Sequence, residues 1–144
     1  MKNRIPILLL IVTLATASFL TGCQPAKPAA LSNDQVVLVV DNTLKAINAG
    51  DYQSFTQDFS AEMENAFTSG QFTSLVELLK NTSGNYVSCA DSEPELSNNQ
   101  GYAVYRLACK YDLESVLVKV TFKVDGDKIE GLFFDSTNLR KVSQ

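Results

Sequence analysis

The 144-residue chain has no histidine and no tryptophan, and only three cysteines. Without histidine it lacks the commonest general base and the commonest transition-metal ligand. No glycine-rich phosphate loop, nucleophile elbow or Cys-x-x-Cys pair occurs in it. Positive charge is also scarce: twelve Lys and Arg stand against sixteen Asp and Glu, a net charge of −4. That balance argues against nucleic acid or anionic lipid as a partner.

What is present begins with an export signal. Lys2 and Arg4 precede an apolar stretch from Ile5 to Leu20, broken only by Pro6, Thr13, Thr16 and Ser18. The stretch approaches the ~20 residues of a membrane span. It ends, however, in small residues and a cysteine, with no positive residue immediately after. Leu20-Thr21-Gly22-Cys23 resembles the lipobox of bacterial lipoproteins, in which the cysteine thiol receives diacylglycerol before the signal is cleaved. The resemblance implies a signal peptide over residues 1–22 and lipidation of Cys23, with attachment to the membrane through that lipid. The expected location is the extracytoplasmic membrane surface. Gln24 in place of an aspartate implies the outer membrane in a host with two membranes.

Cleavage would remove two of the twelve basic residues, making the mature chain more acidic. Roughly 120 residues remain, enough for one domain with one core. Residues 23–31 are the lipidated cysteine and a Pro/Ala spacer with no core-forming pattern. The domain proper is assigned to residues 32–144.

Ser32-Asn33-Asp34-Gln35 makes a capping box, and Val36, Val37, Val40, Leu44 and Ile47 follow at helical spacing up to Gly50. Asp51 caps a short turn carrying Tyr52, Phe55 and Phe59. Ser60 opens another short helix with Met63, Ala66 and Phe67 inward. Thr68 starts a third, in which Phe72, Leu75, Val76 and Leu79 share a face, ending at Gly84. The period then changes to two. Strands are predicted over 86–90, 102–111, 113–124 and 128–134, with Val116, Val118, Val120, Phe122 and Val124 on one face. Asp125-Gly126 is a two-residue hairpin signal, and its register sets Phe122 opposite Ile129 and Val118 opposite Phe133. The predicted class is α+β: N-terminal helices packed on a four-stranded antiparallel meander.

Asn48-Ala49-Gly50-Asp51-Tyr52, followed by Phe55, Phe59, Met63 and the amphipathic run to Leu79 and Gly84, resembles DUF3887, a domain family of unknown function within the NTF2-like superfamily. The resemblance covers roughly residues 32–136. It implies a cone in which a curved sheet wraps a helix, often with a cavity at the wide end. It implies no activity, because a shared fold does not supply one.

NTF2-like enzymes that abstract protons typically use an Asp with a His or Tyr partner, so without histidine only a carboxylate–tyrosine pair is available here. Asp51, Asp58, Tyr52, Tyr105 and Tyr111 are its components, although Asp51 also reads as a helix cap and the tyrosines as core margin. Asp91, Glu93, Glu95, Asp112 and Glu114 cluster near strand ends without calcium-loop spacing, and read as solvated. Asp125-Gly126-Asp127 is turn chemistry. No catalytic residue, metal ligand or cofactor is assigned. Phe55, Phe59, Phe67, Phe72, Tyr105 and Leu107, with Phe133 and Phe134 nearby, either line a pocket for a small apolar ligand or fill a core that has no tryptophan.

Cys89 and Cys109 remain after Cys23, and an oxidising compartment would pair them. A hairpin centred on Asn99 would set Cys89 opposite Cys109 and Val87 opposite Tyr111. The alternative is two buried thiols packing as small hydrophobes. The expected function is therefore a surface-tethered, non-enzymatic module that binds a small apolar ligand or an envelope protein. A purely structural envelope lipoprotein is the alternative, and a cavity enzyme with a carboxylate–tyrosine pair the remote one.

Replacing the predicted lipid-bearing sulfur tests the anchor. Cys23→Ser is expected to abolish metabolic lipid labelling and leave the signal uncleaved. A normally processed, acylated Cys23→Ser protein would reject the anchor.

Overall fold

The structure, a computed structural model, describes residues 31–89 and 93–142. Residues 1–30, with the expected export signal, Cys23 and spacer, lie outside the described residues, as do Ala90 and Asp91.

Helix α1 (Asn33–Ala49) begins where the capping box predicts. The Ser32 side chain accepts from Gln35 N, and the Gln35 side chain accepts from Ser32 N at 3.0 Å. Gly50 ends it at φ +67°, a left-handed conformation that favours glycine. Asp51 and Ser60 cap α2 (Tyr52–Thr56) and α3 (Ala61–Ala66), their side chains accepting from Ser54 N and Met63 N. Thr68 and Gln71 form a second capping box at α4 (Ser69–Thr82). Each start is fixed by a side chain reaching three residues ahead, which is why the sequence shows it.

Five strands follow: β1 (Tyr86–Ser88), β2 (Glu95–Asn99), β3 (Tyr102–Tyr111), β4 (Ser115–Lys123) and β5 (Ile129–Asp135). All pairings between these strands are antiparallel, in the order β1-β3-β4-β5, with β2 also pairing β3. The expected four-stranded meander thus becomes an open sheet of five. β1 and β2 share one edge of β3, the first opposite residues 110 and 111 and the second opposite residues 102–106. β2 was missed because Glu-Leu-Ser-Asn-Asn carries no alternation and little strand propensity. Helix α5 (Thr137–Val142) closes the chain and was also not predicted.

One face of the sheet is the core. Ala103, Tyr105, Leu107, Cys109 and Tyr111 from β3, with Val116, Val118, Val120 and Phe122 from β4, are each at most 3% exposed. Val36, Val40, Leu44 and Ile47 of α1 join them in one cluster, as do Phe72 and Leu79 of α4. Leu117, Phe133 and Lys123 lie exposed on other parts of the sheet.

Three register details differ from expectation. The turn before β3 is not centred on Asn99 but on Gln100-Gly101, both at positive φ (48° and 89°), and it sets Asn99 opposite Tyr102. Gly126 does not adopt positive φ, and the β4–β5 connection is a longer loop than the Asp-Gly signal implies. Phe122 does face Ile129, but an irregularity beside Thr121 adds one residue on β5, so Val118 faces Phe134 and not Phe133. Phe133 consequently points outward, 55% exposed, with Lys119 Nζ 4.8 Å from its ring centroid. Within α3, Ala66 is exposed and Met63 only half-buried, so the helix buries less than its pattern implied. The strand predicted over 113–124 is β4 and starts at Ser115, because residues 112–114 turn between β3 and β4.

Alternation on β4 gives a direct test. Phe122 is fully buried and Thr121 lies on the other face. Phe122→Ala is expected to cost ~3–5 kcal/mol in chemical denaturation, as a large core truncation. Thr121→Ala should cost far less, and equal losses would show the face assignment to be mistaken.

Candidate functional site

Cys89 and Cys109 form a disulfide, their Cα atoms 4.4 Å apart and both side chains buried. The register explains the approach: Ser88 faces Lys110, so the next residue on β1's path falls opposite Cys109. Tyr86, not Val87, faces Tyr111, because a bulge separates Tyr86 from Ser88 and turns Val87 outward. Closing a 20-residue loop stabilises the fold by ~3 kcal/mol in the chain-entropy account. The bridge ties the end of β1 to β3.

The six aromatic and aliphatic residues singled out for a pocket fall into two groups. Phe55 sits 4.8 Å from Phe59, 4.8 Å from Phe72 and 5.4 Å from Phe67, centroid to centroid. Tyr52 joins the set against Phe72 at 5.7 Å, and its hydroxyl donates to Phe67 O at 2.6 Å. These rings contact one another at the helical end of the core, with Phe67 half-buried. Tyr105 and Leu107 lie instead on β3, both fully buried, with Tyr105 edge-on to Phe122 at 5.9 Å.

The carboxylates and tyrosines proposed as a reactive pair do not meet. Asp51 is exposed and spends its oxygens on Ser54, the amide at 3.1 Å and the hydroxyl at 2.7 Å; these bonds hold its carboxyl below the usual range. Asp58 lies 3.8 Å from Lys128. Tyr105 donates to Leu31 O at 2.7 Å. A pair that sequence reading missed does meet: Tyr86 donates to Asp41 at 2.7 Å, and Asp41 also binds Lys45 at 2.6 Å. Burial first, then the Asp41 carboxylate, pushes the Tyr86 phenol up, so it remains a donor. Asn48 completes this corner, with Nδ2 donating to Tyr86 O and Oδ1 accepting from Tyr86 N. The pair links α1 to β1 across 45 residues, and no local signal announces it.

Among the strand-end acids, Glu114 is the one that organises structure. Its Oε1 accepts from Ser83 Oγ at 2.7 Å and Ser136 Oγ at 2.6 Å, and its Oε2 from Asn138 N at 3.2 Å. Ser83 and Ser136 are buried. One carboxylate therefore joins the end of α4, the turn before β4 and the start of α5. Asp112 accepts from Asn85 N and Nδ2 at 3.0 and 2.9 Å. Glu93 and Glu95 are exposed, and Asp91 lies outside the described residues. No group of three or more potential metal ligands gathers among the described residues.

A last feature is the Tyr111 hydroxyl, buried without a hydrogen-bond partner among the described residues. Tyr111 is among the residues lining a cleft of about 30 Å³ between the end of α1, α4 and the start of β1.

Helices capped onto one face of an antiparallel sheet, with most buried polar groups committed to structure, define an α+β domain. The family model for DUF3887, a protein of unknown function, matches residues 40–132, and the chain belongs to that family. No curated protein matches it.

Glu114 gives a pH-dependent prediction. Partial burial raises its carboxyl, but the bonds from Ser136, Ser83 and Asn138, with the Lys141 charge, outweigh that and hold it below its ordinary 4.5. A depressed carboxyl contributes stability above its unfolded pKa and loses it as pH falls through the folded one. Glu114→Gln is expected to cost about 1–2 kcal/mol at neutral pH, and the gap should narrow below about pH 4. Denaturant midpoints of the two proteins across that range check it; a gap independent of pH would reject the charged role.

Proposed function

We propose that this chain is a lipoprotein held at the extracytoplasmic membrane surface by Cys23, carrying an NTF2-like domain that acts by binding and not by catalysis. The observation that carries the reading is Leu20-Thr21-Gly22-Cys23 at the end of an export signal. Two features support it. The buried Cys89–Cys109 bridge suits a compartment outside the reducing cytoplasm. The tether also has a defined attachment, since Leu31 is fixed through its carbonyl to Tyr105. Residues 23–30 span at most about 26–29 Å when extended, so the domain would stay close to its membrane.

The helices-then-sheet order and the core on a single sheet face support the NTF2-like assignment. The four phenylalanine rings occupy one another's space, which favours an envelope protein over a small apolar ligand as the partner. Binding in place of catalysis is supported by the absence of histidine and by Tyr52, Tyr86 and Tyr105 hydroxyls committed at 2.6–2.7 Å.

Compartment and anchor can be read together by intact mass. Protein from the membrane fraction is expected to carry acyl chains on Cys23 and no alkylatable thiol before reduction. A version lacking residues 1–22, made in the cytoplasm, should show free thiols. Full-length protein recovered from the soluble fraction with an unmodified Cys23 would overturn the reading.

A further inference from the structure

Alternation puts a second set of side chains on the sheet face turned away from the helices. Arg106 and Lys110 of β3 share that face with Lys119 and Lys123 of β4, since each lies between buried positions of its strand or just beside one. Tyr102, Leu117 and Phe133 lie on the same face and stay 39%, 39% and 55% exposed. Glu95 stands opposite Arg106, Glu130 takes Lys123 at 2.9 Å, and Asp135 takes Arg140 at 2.6 Å. Five cations and three carboxylates therefore gather on this side of the sheet. Elsewhere among the described residues acid prevails, with twelve Asp and Glu against Lys45, Lys80, Lys128 and Lys141. Net charge alone argues against a lipid surface, but its distribution argues the other way, because an acidic body with one basic face turns that face toward anions. Basic side chains beside exposed aromatic and aliphatic ones suit an anionic bilayer, which attracts them about fivefold per basic residue.

The chain ahead of the domain ends where it can deliver this face to a membrane. Leu31 O accepts from the Tyr105 hydroxyl at 2.7 Å, and Tyr105 stands opposite Leu96 of β2, which pairs with β3 alone. The tether thus leaves the domain one strand in from the edge of the sheet. About one strand spacing (~4.8 Å) and one packing layer (~10 Å) separate that point from the open face. Residues 23–30 span at most about 26–29 Å, enough to round the edge. We propose that the open sheet face docks on anionic phospholipid of the membrane that holds Cys23. Phe133 and Leu117 then meet the headgroups, and the acidic helical layer is turned away.

The docking rests on the lipid at Cys23, so the experiment reads anchor and face separately. The chain has no tryptophan, and a single introduced one reports alone. Phe133→Trp puts it on the open face, and Leu38→Trp puts it on α1, at a position 60% exposed. Each full-length variant is taken from the membrane fraction and reconstituted into vesicles with brominated acyl chains. These are phosphatidylcholine alone, or phosphatidylcholine with an equal part of phosphatidylglycerol. Flotation with the neutral vesicles reads the anchor, and quenching by bromine reads the face. Phe133→Trp is expected to be quenched in the anionic vesicles and not in the neutral ones, and Leu38→Trp in neither. At about 1 M sodium chloride, where the Debye length is ~3 Å, the quenching should disappear with no change to the protein. Lys110→Gln with Lys119→Gln, added to Phe133→Trp, should lower the docked-to-undocked ratio about thirtyfold and leave flotation intact. Flotation without quenching of Phe133→Trp, or equal quenching of the two reporters, would overturn the docking and leave the anchor standing. A dimer in detergent with Phe133→Trp unquenched would give the face to a second copy and overturn lipid as its occupant. A chain that fails to float with neutral vesicles would overturn the anchor, and the docking with it.

Discussion

The strict alternation of β3 and β4 is the constraint on which the rest depends. Nine consecutive inward positions on two paired strands, from Ala103 to Tyr111 and from Val116 to Phe122, are all essentially excluded from water. A one-residue slip between these strands would turn every one of those side chains to the open face. The pairing therefore has a single acceptable register, and α1 can settle only on the face it creates. The helices are placed by the sheet even though they precede it in the chain.

Given that pair, the two sheet edges are handled differently. On the β3 side the chain supplies two short strands in place of one long one. The disulfide sits just past the end of β1, so this edge is pinned covalently next to the last β1 pairing. On the far side, the start of β5 is bridged by the segment that leads into α3. Ser60 N donates to Ile129 O at 2.9 Å, and Ile129 N donates to Asp58 O at 2.7 Å. The added residue on β5 then sends Phe133 outward and brings Phe134 inward.

Polar groups inside the fold divide by purpose. Glu114 gathers three donors from distant segments, and Asp41 with Tyr86 ties the first helix to the first strand. Such bonds are worth little net when made, and far more is lost when one partner is removed. They read as joints between elements packed by apolar contact. Tyr111 is the exception, since its hydroxyl joins nothing among the described residues.

The sequence by itself determined whatever depends on neighbours a few residues apart. Ser32, Asp51, Ser60 and Thr68 bond to amides three residues ahead, so the helix starts could be read directly. The inward set of β4 followed from its period of two, and the corner from Asn48 to Tyr52 carried the family. Tertiary structure alone decided the rest. β2 is a strand because β3 offers it an edge, not because Glu-Leu-Ser-Asn-Asn prefers to be extended. The Asp125-Gly126 signal was stronger than Gln100-Gly101, yet the tight positive-φ turn forms at the second, where two paired strands must meet within two residues. The partners of Glu114 lie 22 to 31 positions away and that of Tyr86 45. No local pattern can encode contacts made only once the sheet has fixed where each element lies.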